Sequence, residues 1–97
     1  MYVIVWRYEV AARHEAVFRA AYGADGEWAR LFAQAPGFVS TALYRDDAAP
    51  GTFLTLDTWS DESAFAAFQS ARGGDYAALD AKLAHLSVQT RLGAFSV

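Results

Sequence analysis

Thr52-Phe53-Leu54-Thr55-Leu56-Asp57-Thr58-Trp59-Ser60-Asp61-Glu62-Ser63-Ala64-Phe65 changes periodicity partway along. Up to Trp59 it is rich in β-branched and aromatic residues that alternate in face, which reads as a strand. Ser60 then reads as a helix N-cap, with Asp61 and Glu62 in a first turn where the helix dipole favours acids. Outward on the N-terminal side, Phe38 to Arg45 is a second strand of the same kind. The turn-rich Asp46-Asp47-Ala48-Ala49-Pro50-Gly51 joins the two into a hairpin.

Further out, Tyr2, Ile4, Trp6, Tyr8 and Val10 alternate with Val3, Val5, Arg7 and Glu9, a strand with apolar character on both faces. Ala11 to Tyr22 takes helical spacing, with Val17, Phe18, Ala21 and Tyr22 on one side. Gly23-Ala24-Asp25-Gly26 interrupts it. Asp25 is a candidate N-cap for a short helical piece carrying Trp28, Leu31, Phe32 and Ala35, which Pro36-Gly37 ends. On the C-terminal side, Phe65 and Phe68 follow along a helix that Arg72-Gly73-Gly74-Asp75 breaks. Tyr76, Leu79, Leu83 and Leu86 then share a helical face, and Ser87 to Val97 reads as the last strand.

The order is β-α-β-β-α-β, so the expected fold class is α+β, a ferredoxin-like domain with a four-stranded antiparallel sheet. At 97 residues the chain has room for one core, and residues 1–97 are expected to form a single domain. A hydrophobic fraction of 55% argues against disorder, and an aromatic fraction of 15% is a heavy load for so small a volume. Val3, Val5, Val39, Leu43, Leu54 and Leu56 fall at one parity. Left bare, they would form a contiguous apolar patch. A homodimer with its two sheets packed face to face is the economical cover.

A net charge of −3 gives no attraction to phosphate backbones or anionic lipid, so neither nucleic acid nor membrane is an expected partner. Without cysteine, thiol catalysis and thiolate metal sites are excluded. His14 and His85 have no metal-ligand partner at helical spacing, and no metal or other cofactor is expected. No basic leader precedes the first apolar run, and a cytoplasmic location is expected. Phosphate-binding glycine loops and nucleophile elbows are absent from the sequence.

The stretch Thr55 to Trp59 followed by Ser60 to Phe65 resembles the strand-to-helix signature of the antibiotic biosynthesis monooxygenase family of dimeric α+β barrels. Tyr22-Gly23-Ala24-Asp25-Gly26-Glu27-Trp28-Ala29-Arg30-Leu31-Phe32, with Ala35-Pro36-Gly37-Phe38, is similar to a subgroup of small proteins within that superfamily. The resemblance implies a pocket between helices and sheet in each protomer. Trp59 matches the family's strand-end tryptophan, and Asp57, Thr55, Phe53 and Trp6 share its face. Haem-degrading members add an asparagine and a histidine; this chain has no asparagine, and Trp6, Ala78 and Leu79 stand near those places. Quinone-forming members use an asparagine and a tyrosine where Thr55 and Phe65 stand. Only Trp59 carries over, so neither of those sites is expected in copied form.

The expected catalytic pair is Asp57, a mid-strand carboxylate that would accept a phenolic proton, and Trp59, which would hold a planar ring. Trp6, Thr55, Tyr22, Trp28, Phe68 and Tyr76 are the expected pocket residues. Each has a structural alternative. Trp59 suits a core position, and Asp57 could pair with Arg7, Arg45 or Arg91. Tyr22 and Trp28 could pack inward at a helix kink, and Arg72-Gly73-Gly74-Asp75 could be either a mobile lid or a simple interruption. The expected function is cofactor-free monooxygenation of a small aromatic or phenolic molecule by O₂. The alternative is a non-catalytic dimeric module that binds a small ligand or only dimerises.

Overall fold

The computed structural model describes all 97 residues. Its elements are β1 (Tyr2–Glu9), α1 (Glu15–Tyr22), α2 (Glu27–Phe32), β2 (Phe38–Arg45), β3 (Thr52–Trp59), α3 (Glu62–Leu83) and β4 (Val88–Ser96), with short 3-10 turns at Ala12–His14 and Ala84–Leu86. The strands form one antiparallel sheet in the order β2-β3-β1-β4. Helices cover one face, which is the ferredoxin-like arrangement expected. No helix is long and apolar enough to cross a membrane.

Alternation decides which side chains enter the core. Ile4 and Tyr8 of β1 and Phe53, Thr55, Asp57 and Trp59 of β3 point toward the helices and are buried. They meet Phe18, Tyr22, Trp28, Phe32, Phe68, Leu83 and Leu86 from the other layer. Full burial of each large apolar side chain contributes about 1.5–3 kcal/mol. Much of this core is aromatic: the Trp59 ring meets Phe32, Phe38, Phe65 and Phe68 at 5.3–5.5 Å between centroids.

Two bulges break strict alternation, and a repeat of two cannot show them. In β2 the register shifts between Phe38 and Ser40, leaving Val39 exposed and turning Thr41 and Leu43 toward the helices. Leu43 therefore leaves the expected outer-face set and packs against the core. In the β1–β4 pair the shift between Val5 and Trp6 leaves Leu92 as the extra residue. Arg91 then lies opposite Trp6 on the helix side, while Phe95, opposite Val3, lies on the outer face.

Three local expectations need correction. The cap of α3 is Asp61, whose carboxylate accepts from Ala64 N–H at 2.8 Å, while Ser60 N–H donates to the Gly37 carbonyl at 2.7 Å. Gly26, not Asp25, occupies the N-cap of α2; the Asp25 carbonyl accepts from Arg30 at 2.7 Å. At Arg72 the helix kinks (φ −127°, ψ 20°) but continues, and Arg72 pairs with Asp75 at 3.3 Å. Gly73 and Gly74 thus lie within a bent helix and form no lid.

Gly26 is required by close approach. A Cβ there would lie 2.3 Å from the Ala21 carbonyl oxygen at the end of α1. Gly26→Ala is expected to cost about 2 kcal/mol through overpacking and to lower Tm by roughly 10 °C in thermal denaturation. An unchanged Tm would show that the α1–α2 junction is looser than described.

Candidate functional site

Asp57 is where the sheet and helices leave space. It is the third-last residue of β3, an interior strand, and faces the helices because its neighbours Thr55 and Trp59 do. A carboxylate there lacks the water that normally solvates it. Its protein partner is Thr41, directly opposite on β2, whose hydroxyl donates to Oδ1 in a short hydrogen bond. None of the three candidate arginines pairs with it. Arg7 lies on the outer face beside Glu9 at 3.5 Å, and Arg45 reaches Asp47 at 4.0 Å. Arg91 faces the helix side without an ion-pair partner.

Burial pushes the Asp57 carboxyl up from 3.8 to about 6, with the Thr41 bond opposing the shift. Burial also raises Tyr76, to about 12, helped by the carboxylates of Asp80 and Asp57 and opposed by Arg91. Tyr8 and Tyr22 are raised by burial as well. All three phenols therefore stay protonated at neutral pH. The Tyr8 hydroxyl lies 3.1 Å from Thr55 Oγ1.

Two cavities meet at Asp57, and both are bordered by Trp6, Phe32 and Tyr76. The outer cleft, about 410 Å³, opens between β1, β4 and the first half of α3, where Phe65, Gln69 and Arg91 line it. The inner chamber is far smaller. Its volume is about 20 Å³, between Tyr8, Tyr22, Trp28, Thr41 and Thr55. At its end Gln89 Nε2 donates to Asp80 at 3.3 Å.

The structure places Asp57, Trp6, Thr55, Tyr22, Trp28 and Tyr76 around these spaces. It does not bring Trp59 or Phe68 to them. Trp59 is fully buried at the strand end, ringed by phenylalanines, and borders neither cavity. Phe68 is buried behind it and borders a separate groove beside Ala64, Ala67 and Ala71. The wide bodies of these side chains fill the core, while Tyr2, Trp6, Phe32, Phe65 and Tyr76 supply the ring-bearing walls of the cleft.

Thr41, Arg91, Asp80 and Gln89 were not among the expected site residues. Thr41 was not readable from alternation, which set it on the outer face with Val39 and Leu43; the observed β2–β3 register, with its bulge, turns it opposite Asp57. Arg91 depends on the β4 bulge, whose sequence mark is Gly93, a lone glycine within the strand with φ 151°. No group of three or more His, Asp or Glu converges as a metal site; His14 and His85 meet edge to face at 5.6 Å.

Because the folded protein binds the Asp57 proton more tightly than the unfolded chain does, Asp57 supports folding most below about pH 4. That support is lost as pH rises through about 6, and the difference amounts to about 3 kcal/mol. Asp57→Asn keeps an acceptor for Thr41 and removes the charge. Urea unfolding is expected to show the variant about 2–3 kcal/mol more stable than the parent at pH 8 and nearly equal near pH 4. Parallel curves across this range would contradict an unpaired, buried carboxylate.

With the site defined, comparisons place the chain among known proteins. No curated protein matches its sequence. Among solved structures it is similar to SnoaB, a cofactor-independent oxygenase from Streptomyces nogalater, at 26% identity and a TM-score of 0.74, covering 99% of this chain and 91% of that one. A Deinococcus radiodurans protein classed with the antibiotic biosynthesis monooxygenases is 25% identical, with a TM-score of 0.71 over 100% of this chain and 92% of that one. MupZ from Pseudomonas fluorescens shares the fold at 14% identity and a TM-score of 0.70, over 96% of this chain and 67% of that one. The sequence profile of the antibiotic biosynthesis monooxygenases matches residues 1–73, three quarters of the chain with Asp57 among them, and the chain belongs to that family.

Proposed function

We propose that this protein is a cofactor-independent monooxygenase that oxidises a small, planar phenol or anthrone with O₂. The observation that carries the reading is Asp57, a buried carboxylate without a cationic partner at the floor of a 410 Å³ cleft. A base with an affinity raised to about 6 is deprotonated at neutral pH yet binds a proton more strongly than an exposed aspartate. Trp6 and Tyr76 offer ring faces for stacking. Arg91, at the same cleft and free of any ion pair, would oppose the negative charge left on the substrate. The similarity to a cofactor-independent oxygenase supports the same reaction type.

The reaction balances without an added reductant. Asp57 takes a proton from the substrate, and the carbanion or phenolate supplies electrons to O₂. For a ring methylene, addition of O₂ and return of the proton give a hydroperoxide, which loses water to leave a carbonyl. One oxygen atom enters the product and the other leaves as water.

A second reading, a non-catalytic dimeric module that binds an apolar ligand, draws support from the absence of asparagine throughout the chain. At the position aligned with a family asparagine, Thr55 lies within hydrogen-bond distance of Tyr8. Oxygen uptake with dithranol and substituted hydroquinones separates the readings. Tryptophan quenching without oxygen uptake would leave only the binding module.

We also infer that a homodimer is the working form, with outer sheet faces packed together. Val3, Val5, Leu54 and Leu56 are only half-buried, and Tyr44 and Phe95 of the same face are exposed. Such a patch is best covered by its own two-fold copy.

Two outcomes are expected. With dithranol, Asp57→Asn should lower kcat about a hundredfold with little change in binding, and the parent's activity should fall below a midpoint near pH 6. Equal rates in the two proteins would remove Asp57 as the base. In sedimentation at micromolar concentration the protein should run as a dimer, and Val5→Asp should shift it to monomer; a parent monomer would contradict the covered face.

A further inference from the structure

The outer cleft carries a hydroxyl that the fold does not use. Tyr76 lies in α3 past the bend at Arg72, and with Trp6, Phe32 and Asp57 it borders both cavities. Its ring is packed, with centroids 4.9 Å from Trp28 and 6.4 Å from Phe68. The side chain is half-buried, and its hydroxyl makes no hydrogen bond to the protein. The neighbouring phenols differ. Tyr8 is engaged with Thr55 at 3.1 Å, Tyr22 borders the inner chamber alone, and Tyr2, at the start of β1, borders the outer cleft alone. Asp57 takes its hydrogen bond from Thr41, so the Tyr76 donor stands beside the base without being tied to it.

We propose that the Tyr76 hydroxyl is a catalytic hydrogen-bond donor, which holds the ring oxygen of the substrate as that oxygen becomes an oxyanion. This inference rests on the oxygenase reading of the same cleft and deepens it. A neutral carbonyl or hydroxyl oxygen is a modest acceptor; once charged, it gains a charge-assisted bond from the same donor. The contact therefore strengthens as the proton leaves, which is the condition for acceleration rather than uniform binding. The substrate class it implies is a ring ketone or phenol, whose conjugate base carries its charge on oxygen. A hydrocarbon acidic only at carbon offers Tyr76 no acceptor.

In an anthrone the C–H bond of the ring methylene breaks and its proton goes to Asp57. The electron pair left on carbon delocalises through the rings to the carbonyl oxygen. Tyr76 shares its own proton with that oxygen and keeps it, and no electron leaves the substrate until O₂ arrives. The carboxylates of Asp80 and Asp57 hold the phenol in its protonated form, pushed up to about 12 chiefly by burial, while Arg91 opposes them. Negative charge moves rather than accumulates, because Asp57 becomes neutral as the oxygen becomes charged. Asp80 does not border the outer cleft. Glu62, the other acid that does, begins α3, about 20 Å along the helix from Tyr76.

The donor can be tested without turnover. 1,8-Dihydroxyanthraquinone shares the ring frame of dithranol, is already oxidised, and changes from yellow to red on losing a proton. Asp57→Asn presents an uncharged side chain, like the base after it has taken its proton, and its binding of the dye is followed by absorbance on both sides of the colour change. Adding Tyr76→Phe, which keeps the ring, should weaken binding of the red form about tenfold, the loss of one hydrogen bond to a charged group, and leave the yellow form within about twofold. Equal binding of the red form by the two proteins, an equal loss for both forms, or no binding of either form by Asp57→Asn would overturn Tyr76 as the donor.

In turnover of dithranol, Tyr76→Phe alone should lower kcat about tenfold with KM unchanged. Its activity should keep a midpoint near pH 6, because Asp57 remains the base. A full kcat, or a loss accounted for by a moved midpoint, would overturn the role. Absence of oxygen uptake by the parent would count against the oxygenase reading, whereas the dye comparison judges Tyr76 without turnover.

Discussion

A carboxylate buried in the middle of a sheet is unfavourable unless a cation or several donors compensate it, and Asp57 has one hydroxyl. The rest of the site depends on that imbalance. Thr41 can reach Asp57 because the β2–β3 register sets them opposite each other, and the bulge at the start of β2 turns Thr41 inward. The arginines that could have neutralised the charge are directed elsewhere: Arg7 by parity to the outer face, Arg45 to the hairpin end, and Arg91 to the cleft without contact. Asp57 consequently holds its proton up to about pH 6, the range in which a base can both take a proton and return it at neutral pH.

The aromatic load of the chain serves two purposes that composition alone does not separate. Trp59, Phe38 and Phe68 fill the space around the end of β3 and fix the strand that carries Asp57. Trp6, Trp28 and Tyr76 stand at the boundary of that packing and wall the cavities. In the first group the rings pack against one another. The second limits the water that reaches the carboxylate while leaving an opening, and that partial desolvation strengthens electrostatic contacts made there.

Much of this architecture is readable from the chain. Alternation located β2 and β3 to the residue, and the split order of strands and helices identified the sheet and its covered face. The pocket expected around Asp57, Trp6, Thr55, Tyr22, Trp28 and Tyr76 came from the family resemblance, with strand parity choosing which strand residues face it. Periodicity failed where a local irregularity resets parity: Leu43 follows the β2 bulge inward, and Arg91 follows the β4 bulge to the cleft. It failed again for Trp59 and Phe68. Facing the helices is a property of strand and helix phase, whereas bordering a cavity depends on how neighbouring rings fill the volume. The caps of α2 and α3 each moved by one residue because Gly26 and Ser60 are fixed by backbone contacts to Gly23 and Gly37.

The chemistry of the cleft turns on the protonation of Asp57, which can be observed directly. In protein labelled with ¹³C at aspartate carboxyls, the Asp57 signal, assigned by its loss in Asp57→Asn, is followed from pH 3 to pH 8. A midpoint near 6, well separated from the other aspartates, is the predicted result. A midpoint close to 3.8, the ordinary value, would mean that the carboxylate is solvated or paired, and would contradict its role as the base of the cleft.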